Sequence, residues 1–148
     1  MTELREIVPP DTGLAFGRSR PLRGHYTDRA EFVRRVDQVQ RPEGYRLVGV
    51  FEEDGRCTAA ACFRAIRNLA WGDCLYVDDL STVPDARRRG HGRALIEWCL
   101  EEATRLRCDE LHLDSGVGPD RADAHRLYFN MGLRITSYHF ARELRRRD

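Results

Sequence analysis

The passage Leu75–Leu95, LYVDDLSTVPDARRRGHGRAL, constrains the fold more than any other stretch of the chain. It begins as an apolar segment, turns at Pro84, crosses a Gly/Arg-rich loop and opens a helix. Leu95, Cys99, Ala103 and Leu106 form one apolar stripe, widened by Ile96 and Leu100, which predicts a helix over about Gly90–Arg107. Leu111, Leu113 and Ser115 then alternate with His112 and Asp114, the period of a strand. Strand, helix and strand in that order require a right-handed crossover, so the segments at 74–83 and 110–115 are expected as parallel neighbours.

The chain leading into this passage has a different rhythm. Residues 3–8 suit a short strand closed by Pro9-Pro10, and Asp11 can cap a helix over about 12–20. Thr27 or Asp28 caps a second helix, with Phe32, Val36 and Val39 recurring at helical spacing. Tyr45–Glu52 and Cys57–Ile66 read as strands joined by the turn Glu53-Asp54-Gly55, and Asn68–Gly72 turns the chain again into Cys74–Val83. Tight turns make these strands antiparallel. After the crossover come a helix over about 120–131, with Gly132 as its C-cap, and a final strand at Ile135–Phe140. The expected architecture is a single α+β domain spanning 1–148, with a mixed, mostly antiparallel central sheet flanked by helices.

Composition removes several classes. The formal net charge is +1 and every basic side chain is arginine, so a general nucleic-acid or membrane-surface binder, which needs a basic excess, is not expected. No apolar run approaches the ~20 residues that span a bilayer, and the start MTELREIVPP lacks a signal-peptide apolar region, which gives a cytoplasmic expectation. The five cysteines form no CxxC pair and join no His cluster, so neither a metal site nor a disulfide framework is expected, and Cys62 and Cys99 read as buried thiols. The arginine-rich end, Arg142–Arg147, reads as a solvated tail.

The loop carries the first chemistry. Arg87-x-x-Gly90-x-Gly92 follows a strand and opens a helix, where glycines let backbone N–H groups approach an anion and the helix end adds partial positive charge. Arg88, Arg89 and Arg93 can add charge-assisted hydrogen bonds to phosphate. Asp78 and Asp79 sit on the strand before it. Adjacent side chains on a regular strand point to opposite faces, so only one acid can face a given reaction unless a bulge intervenes.

These residues resemble a known family. The run Thr82–Gly92 is similar to motif A of the GCN5-related N-acetyltransferases, Gln/Arg-x-x-Gly-x-Gly/Ala, and Ala124–Leu133 resembles their motif B, Ala-x-x-x-Tyr-x-x-x-Gly-Phe. The two motifs stand in the family's order and cover roughly 74–140. The resemblance implies an enzyme that moves the acetyl group of acetyl-CoA to a primary amine, with no metal. It implies that backbone amides of Arg88, Arg89, Gly90, His91, Gly92 and Arg93, behind Arg87, hold the pyrophosphate, and that Leu80, Ser81 and Thr82 pair their backbone with the pantetheine arm. In the family the strands here splay to admit that arm, so Ser115 and Gly116 would line the gap. Many members carry Asn three residues before the motif B alanine, where it helps hold the pantetheine; here the position is Arg121, so either backbone contacts suffice or Arg121 reaches a phosphate.

The mechanism that follows needs a base and an acid. A primary amine of pKa about 10 must lose a proton before it attacks a thioester, and a carboxylate can take that proton directly or through water. The pair Asp78-Asp79 is similar to the Glu-Asp pair of the polyamine acetyltransferase branch, which implies Asp78 as base, Asp79 as the amine's partner and a small cationic acceptor. Motif B implies Tyr128 as the acid that protonates the leaving thiolate, although its stripe with Ala124 and Leu127 also suits a core aromatic. His125 and His139 are weaker candidates, and His25 and Tyr26 could border the acceptor. Family members often dimerise, which leaves room for a homodimer. The rival expectation is an inactive coenzyme A-binding regulatory module that keeps the loop and does no chemistry.

Overall fold

The structure, a computed structural model, describes residues 1–16 and 26–145. Two compact units make it up, Met1–Leu113 and Asp114–Asp148.

Five strands form the sheet of the first unit: β1 (Glu3–Ile7), β2 (Arg46–Phe51), β3 (Cys57–Asn68), β4 (Gly72–Thr82) and β5 (Glu110–Leu113). They lie side by side in chain order. The first four pair antiparallel, as short turns require between β2, β3 and β4; Gly55 supplies the left-handed residue of the first turn at φ +82°. Helix α2 (His91–Arg105) carries the chain over to β5, which pairs parallel with β4 as the crossover requires.

Period-two alternation splits the core into two layers. Leu47 and Phe51 face one side with Ile7, Ala60 and Cys62, and the helical stretch after Asp28 covers them with Phe32 and Val36. Val48, Val50, Ala59, Ala61, Phe63, Leu75 and Val77 face the other side, where Leu95, Cys99 and Ala103 of α2 pack. On this second face Arg46 ties the sheet to α2: it donates to both oxygens of Glu6 at 2.7 and 2.9 Å and to Glu102 of α2 at 2.9 Å.

Several sequence expectations change. Asp28 does cap α1 (Arg29–Arg35), accepting from the Ala30 N–H at 2.9 Å. The helix then widens into a π turn over Val36–Gln40, and this extra residue rotates Val39 off the stripe to the surface. The expected helix at 12–20 is a 3-10 turn over Asp11–Ala15, and its remainder from residue 17 lies outside the described residues. The final strand expected at Ile135–Phe140 does not form. Ile135, Tyr138 and Phe140 are 74%, 86% and 92% exposed, and the segment has no ladder partner among the described residues. Alternating apolar residues specify a strand only where a neighbour accepts the backbone hydrogen bonds.

In the second unit a 3-10 turn at Pro119–Arg121 leads into α3 (Ala122–Asn130). Leu133 N–H donates to the Tyr128 carbonyl at 3.0 Å, and Gly132 takes the left-handed residue after the helix at φ +84°. No described helix is long and apolar enough to cross a membrane.

Candidate active site

The acids sit where the ladder breaks. On β3 and β4, Ala61 pairs with Leu80 and Cys62 with Asp79, but Phe63 pairs with Val77. Asp78 is therefore the extra residue of a β-bulge. The insertion resets the alternation. Tyr76 pairs with Arg64 and Asp79 with Cys62, two residues apart on one face of β3, and Asp78 shares the parity of Tyr76. Both acids thus lie on the Cys62 face, opposite the face that packs against α2. The condition under which the strand could aim two adjacent acids one way is met in its backbone.

Neighbours distinguish the two. Arg64 grips Asp78 through both oxygens, donating from Nε at 2.9 Å and Nη2 at 2.8 Å. The Tyr45 hydroxyl lies 3.4 Å from Asp79 Oδ2, the long end of a hydrogen bond. Tyr45 is pushed far above the usual phenol range, first by burial, then by Cys62 beside it and by the two carboxylates. Burial likewise raises the Cys62 thiol well above its ordinary value, so it stays protonated and is no nucleophile at neutral pH. Arg64 and Tyr45 escaped the sequence reading. Counting by twos from Leu47 puts Tyr45 on the same face, and that signal was available.

Beyond the bulge β4 has one bare edge. Its pairing with β5 ends at Val77 and Leu113, whereas its pairing with β3 continues to Thr82. Leu80, Ser81 and Thr82 therefore present backbone groups on the β5 side to no strand among the described residues.

Next along the chain is the loop. Arg88 at φ +63° and Gly90 at φ +82° are both left-handed, one residue apart, and α2 starts at His91. Alternating handedness turns successive N–H groups inward into an anion-sized hollow. The first bond into the helix runs from Ala94 N–H to the Gly90 carbonyl at 3.0 Å, which leaves the amides of His91, Gly92 and Arg93 without helical acceptors. Arg89 pairs with Glu52 at 3.0 Å and Arg93 with Glu97 at 2.9 Å. Arg87 and Arg88 are exposed and make no ion pair among the described residues. Amides without partners and free guanidinium groups fit a diphosphate.

The second unit holds the remaining sequence candidates. Tyr128 is half-buried on α3, and burial raises its hydroxyl above the usual value while Arg121 pulls it part of the way back. His125 Nε2 lies 3.1 Å from Ser115 Oγ and 2.8 Å from the Gly116 carbonyl, so the imidazole bridges helix and loop. His139 Nδ1 lies 3.4 Å from Asp114. Of the weaker candidates in the first unit, Tyr26 packs edge-on against Phe32 at 6.2 Å, and His25 lies outside the described residues.

Comparison with known proteins gives a consistent picture. The model of the acetyltransferase (GNAT) family matches residues 3–133. The uncharacterised N-acetyltransferase YhdJ of Bacillus subtilis (strain 168) is 30% identical over 111 residues, covering 74% of this chain and 75% of the relative. Glucosamine-6-phosphate N-acetyltransferase from Arabidopsis thaliana superposes with a TM-score of 0.77 at 15% identity, over 98% of this chain and 99% of that one. The aminoglycoside N-acetyltransferase AAC(6')-Iy, solved in complex with CoA, superposes with a TM-score of 0.78 at 14% identity, over 97% and 95%. At such identities the two structures speak for the fold.

Proposed function

This chain belongs to the GNAT family of acetyltransferases, and from that premise we propose that it acetylates a small cationic primary amine, with the Asp78-Asp79 pair as base and Tyr128 as acid. Acetyl-CoA is the acetyl donor and supplies an activated thioester. The observation that carries the acceptor class is the bulge, which sets two carboxylates side by side on one face of β4. Two adjacent carboxylates on one face concentrate negative charge, and such a pair suits a cationic ligand.

Each residue then has a task. The amides of Arg88–Arg93, with Arg87, Arg88 and Arg89 around them, hold the pyrophosphate. The bare edge at Leu80, Ser81 and Thr82 hydrogen-bonds the amide-bearing pantetheine arm. Ser115 lines the gap that admits this arm, and Arg121, three residues before the motif B alanine, assists in binding. Asp79 meets the ammonium charge. Asp78, oriented by Arg64, receives the amine proton directly or through a water. The nitrogen bonds to the acyl carbon as the carbon–sulfur bond breaks, and Tyr128 returns a proton to sulfur. That last transfer runs from a group of pKa 10 or more to a thiolate near 8.5, uphill by about 2 kcal/mol, so Tyr128 acts by being in place rather than by acidity. We further propose a cytoplasmic setting, with the two compact units serving one acetyltransferase domain.

The test is release of free thiol from acetyl-CoA with a panel of amines, comparing wild type and Tyr128→Phe. Turnover with di- or polycationic amines and its loss in the variant is the expected result. Tight coenzyme binding without turnover of any amine would defeat the proposal.

A further inference from the structure

The hairpin between β2 and β3 is tied to the loop at three points. Arg56 pairs with Asp85 at 2.9 Å, just before the arginine run. Glu52 Oε1 lies 3.0 Å from Arg89 Nη2 and 3.7 Å from His91 Nε2. Beneath these, Val83 N–H donates to the Thr58 carbonyl at 2.9 Å. Glu52 thus reaches both residues that flank Gly90, the left-handed residue on which the loop turns into α2.

Its setting is unusual. Glu52 is the first residue after β2, at a point where the turn needs only its backbone. Yet its side chain is largely buried, and the His91 imidazole is 6% exposed. Both facing atoms, Glu52 Oε1 and His91 Nε2, are buried without a hydrogen-bond partner among the described residues. Glu52 Oε1 keeps only its ion pair with Arg89, and an imidazole nitrogen buried without a partner costs stability. A carboxylate under an anion cradle also repels the ligand that the cradle takes. Packing needs neither feature, whereas holding the loop explains both.

We propose that Glu52 is a positioning residue for coenzyme binding: it anchors Arg89 and His91 from beneath, so that the amides on either side of Gly90 stay turned toward the phosphates. Glu52 does not touch the ligand. The proposal rests on the assignment of the Arg88–Arg93 loop to the coenzyme's pyrophosphate.

Electrostatics and positioning predict opposite signs, which makes the proposal easy to test. Free coenzyme A is titrated calorimetrically into the full-length chain at fixed ionic strength. Charge alone predicts that Glu52→Gln tightens binding and that Glu52→Asp, which keeps the charge and withdraws it by one methylene, changes nothing. Positioning predicts that both weaken binding by about 5-fold or more. It also predicts that KM for acetyl-CoA rises while kcat holds, and that the amides of 88–93 exchange hydrogen faster in the ligand-free variants. Glu53→Gln, on the same hairpin but paired with the N-terminal ammonium, serves as control and keeps wild-type affinity. Unchanged or tighter binding by Glu52→Asp overturns the proposal, and this variant decides alone if Glu52→Gln does not fold. Wild type that fails to bind coenzyme A would sink the loop assignment and this proposal with it. Wild type that binds, with variants that bind equally, would sink this proposal only.

Discussion

Replacing Glu102 by Gln tests what fastens α2, and with it the anion loop, to the sheet. Glu102 is 8% exposed and accepts from Arg46 Nη1 at 2.9 Å and from Arg105 Nε at 2.9 Å. Arg105 first and Arg46 next hold its carboxyl at about 2, against an ordinary 4.5, and outweigh the opposing effect of burial. A carboxyl shifted by that much contributes at most about 3 kcal/mol at neutral pH. Arg105 reaches into solvent, where its share is screened, so about 2 kcal/mol is the working figure. The sign follows from the direction of the shift. The folded value lies below the unfolded one, so the contribution is complete above about pH 4.5 and disappears as the pH falls toward 2. Thermal unfolding followed by circular dichroism from pH 7 to pH 2.5 reads it. Glu102→Gln should melt about 4–8 °C below wild type at pH 7, and the gap should close below pH 4.5. A gap that persists unchanged to pH 2.5 would refute the reasoning, because the loss would then come from packing rather than charge.

Three other outcomes are expected at the site. Tyr128→Phe should lower kcat by about 10²–10⁴ with little change in KM for acetyl-CoA, and wild type should keep this acid protonated through neutral pH, since burial raises it; unchanged kcat removes Tyr128 from the mechanism. Asp78→Asn should lower kcat by about 10² and Asp79→Asn should chiefly raise KM for the amine; equal, small effects in steady-state kinetics would remove both acids from the chemistry. Gly90→Ala meets no atom within 4 Å, so its cost is conformational alone, about 1 kcal/mol at φ +82°, and it should appear as weaker coenzyme A binding in calorimetry. Unaltered affinity would show that the loop tolerates another backbone shape.

What could be read from the residues, and what could not, has a physical pattern. The strand–helix–strand passage was legible because its apolar stripe and its turns are local signals, and Pro84 and Gly90 mark both ends of the loop. The meander was legible for the same reason, from Asp54-Gly55 and the change of period after Gly44. The π turn at Val36–Gln40 was not, because Val39 keeps helical spacing in sequence and loses it only when the backbone widens. Nor was the fate of Ile135–Phe140, whose alternation carries no information about whether a partner strand is present. At the site, the Gly/Arg loop is a local motif and was found. Arg64 acts through register across the sheet and Glu52 through contact with a loop distant in sequence, which a linear reading does not contain, whereas Tyr45 carried a signal in its spacing from Leu47.

The bulge at Asp78 has an arithmetic consequence. Removing that one residue would join Phe63–Val77 to Cys62–Asp79 in unbroken register, with Leu75, Val77 and Leu80 still in the core they now occupy. Asp78 is thus an insertion that leaves the pairs on either side of it in the register of an unbroken ladder. In a scaffold of this kind the charge presented to a substrate can gain or lose one carboxylate by a single codon. The pairing of the core strands would keep its register while Arg64 lost its partner, and chemistry and packing can diverge along separate histories.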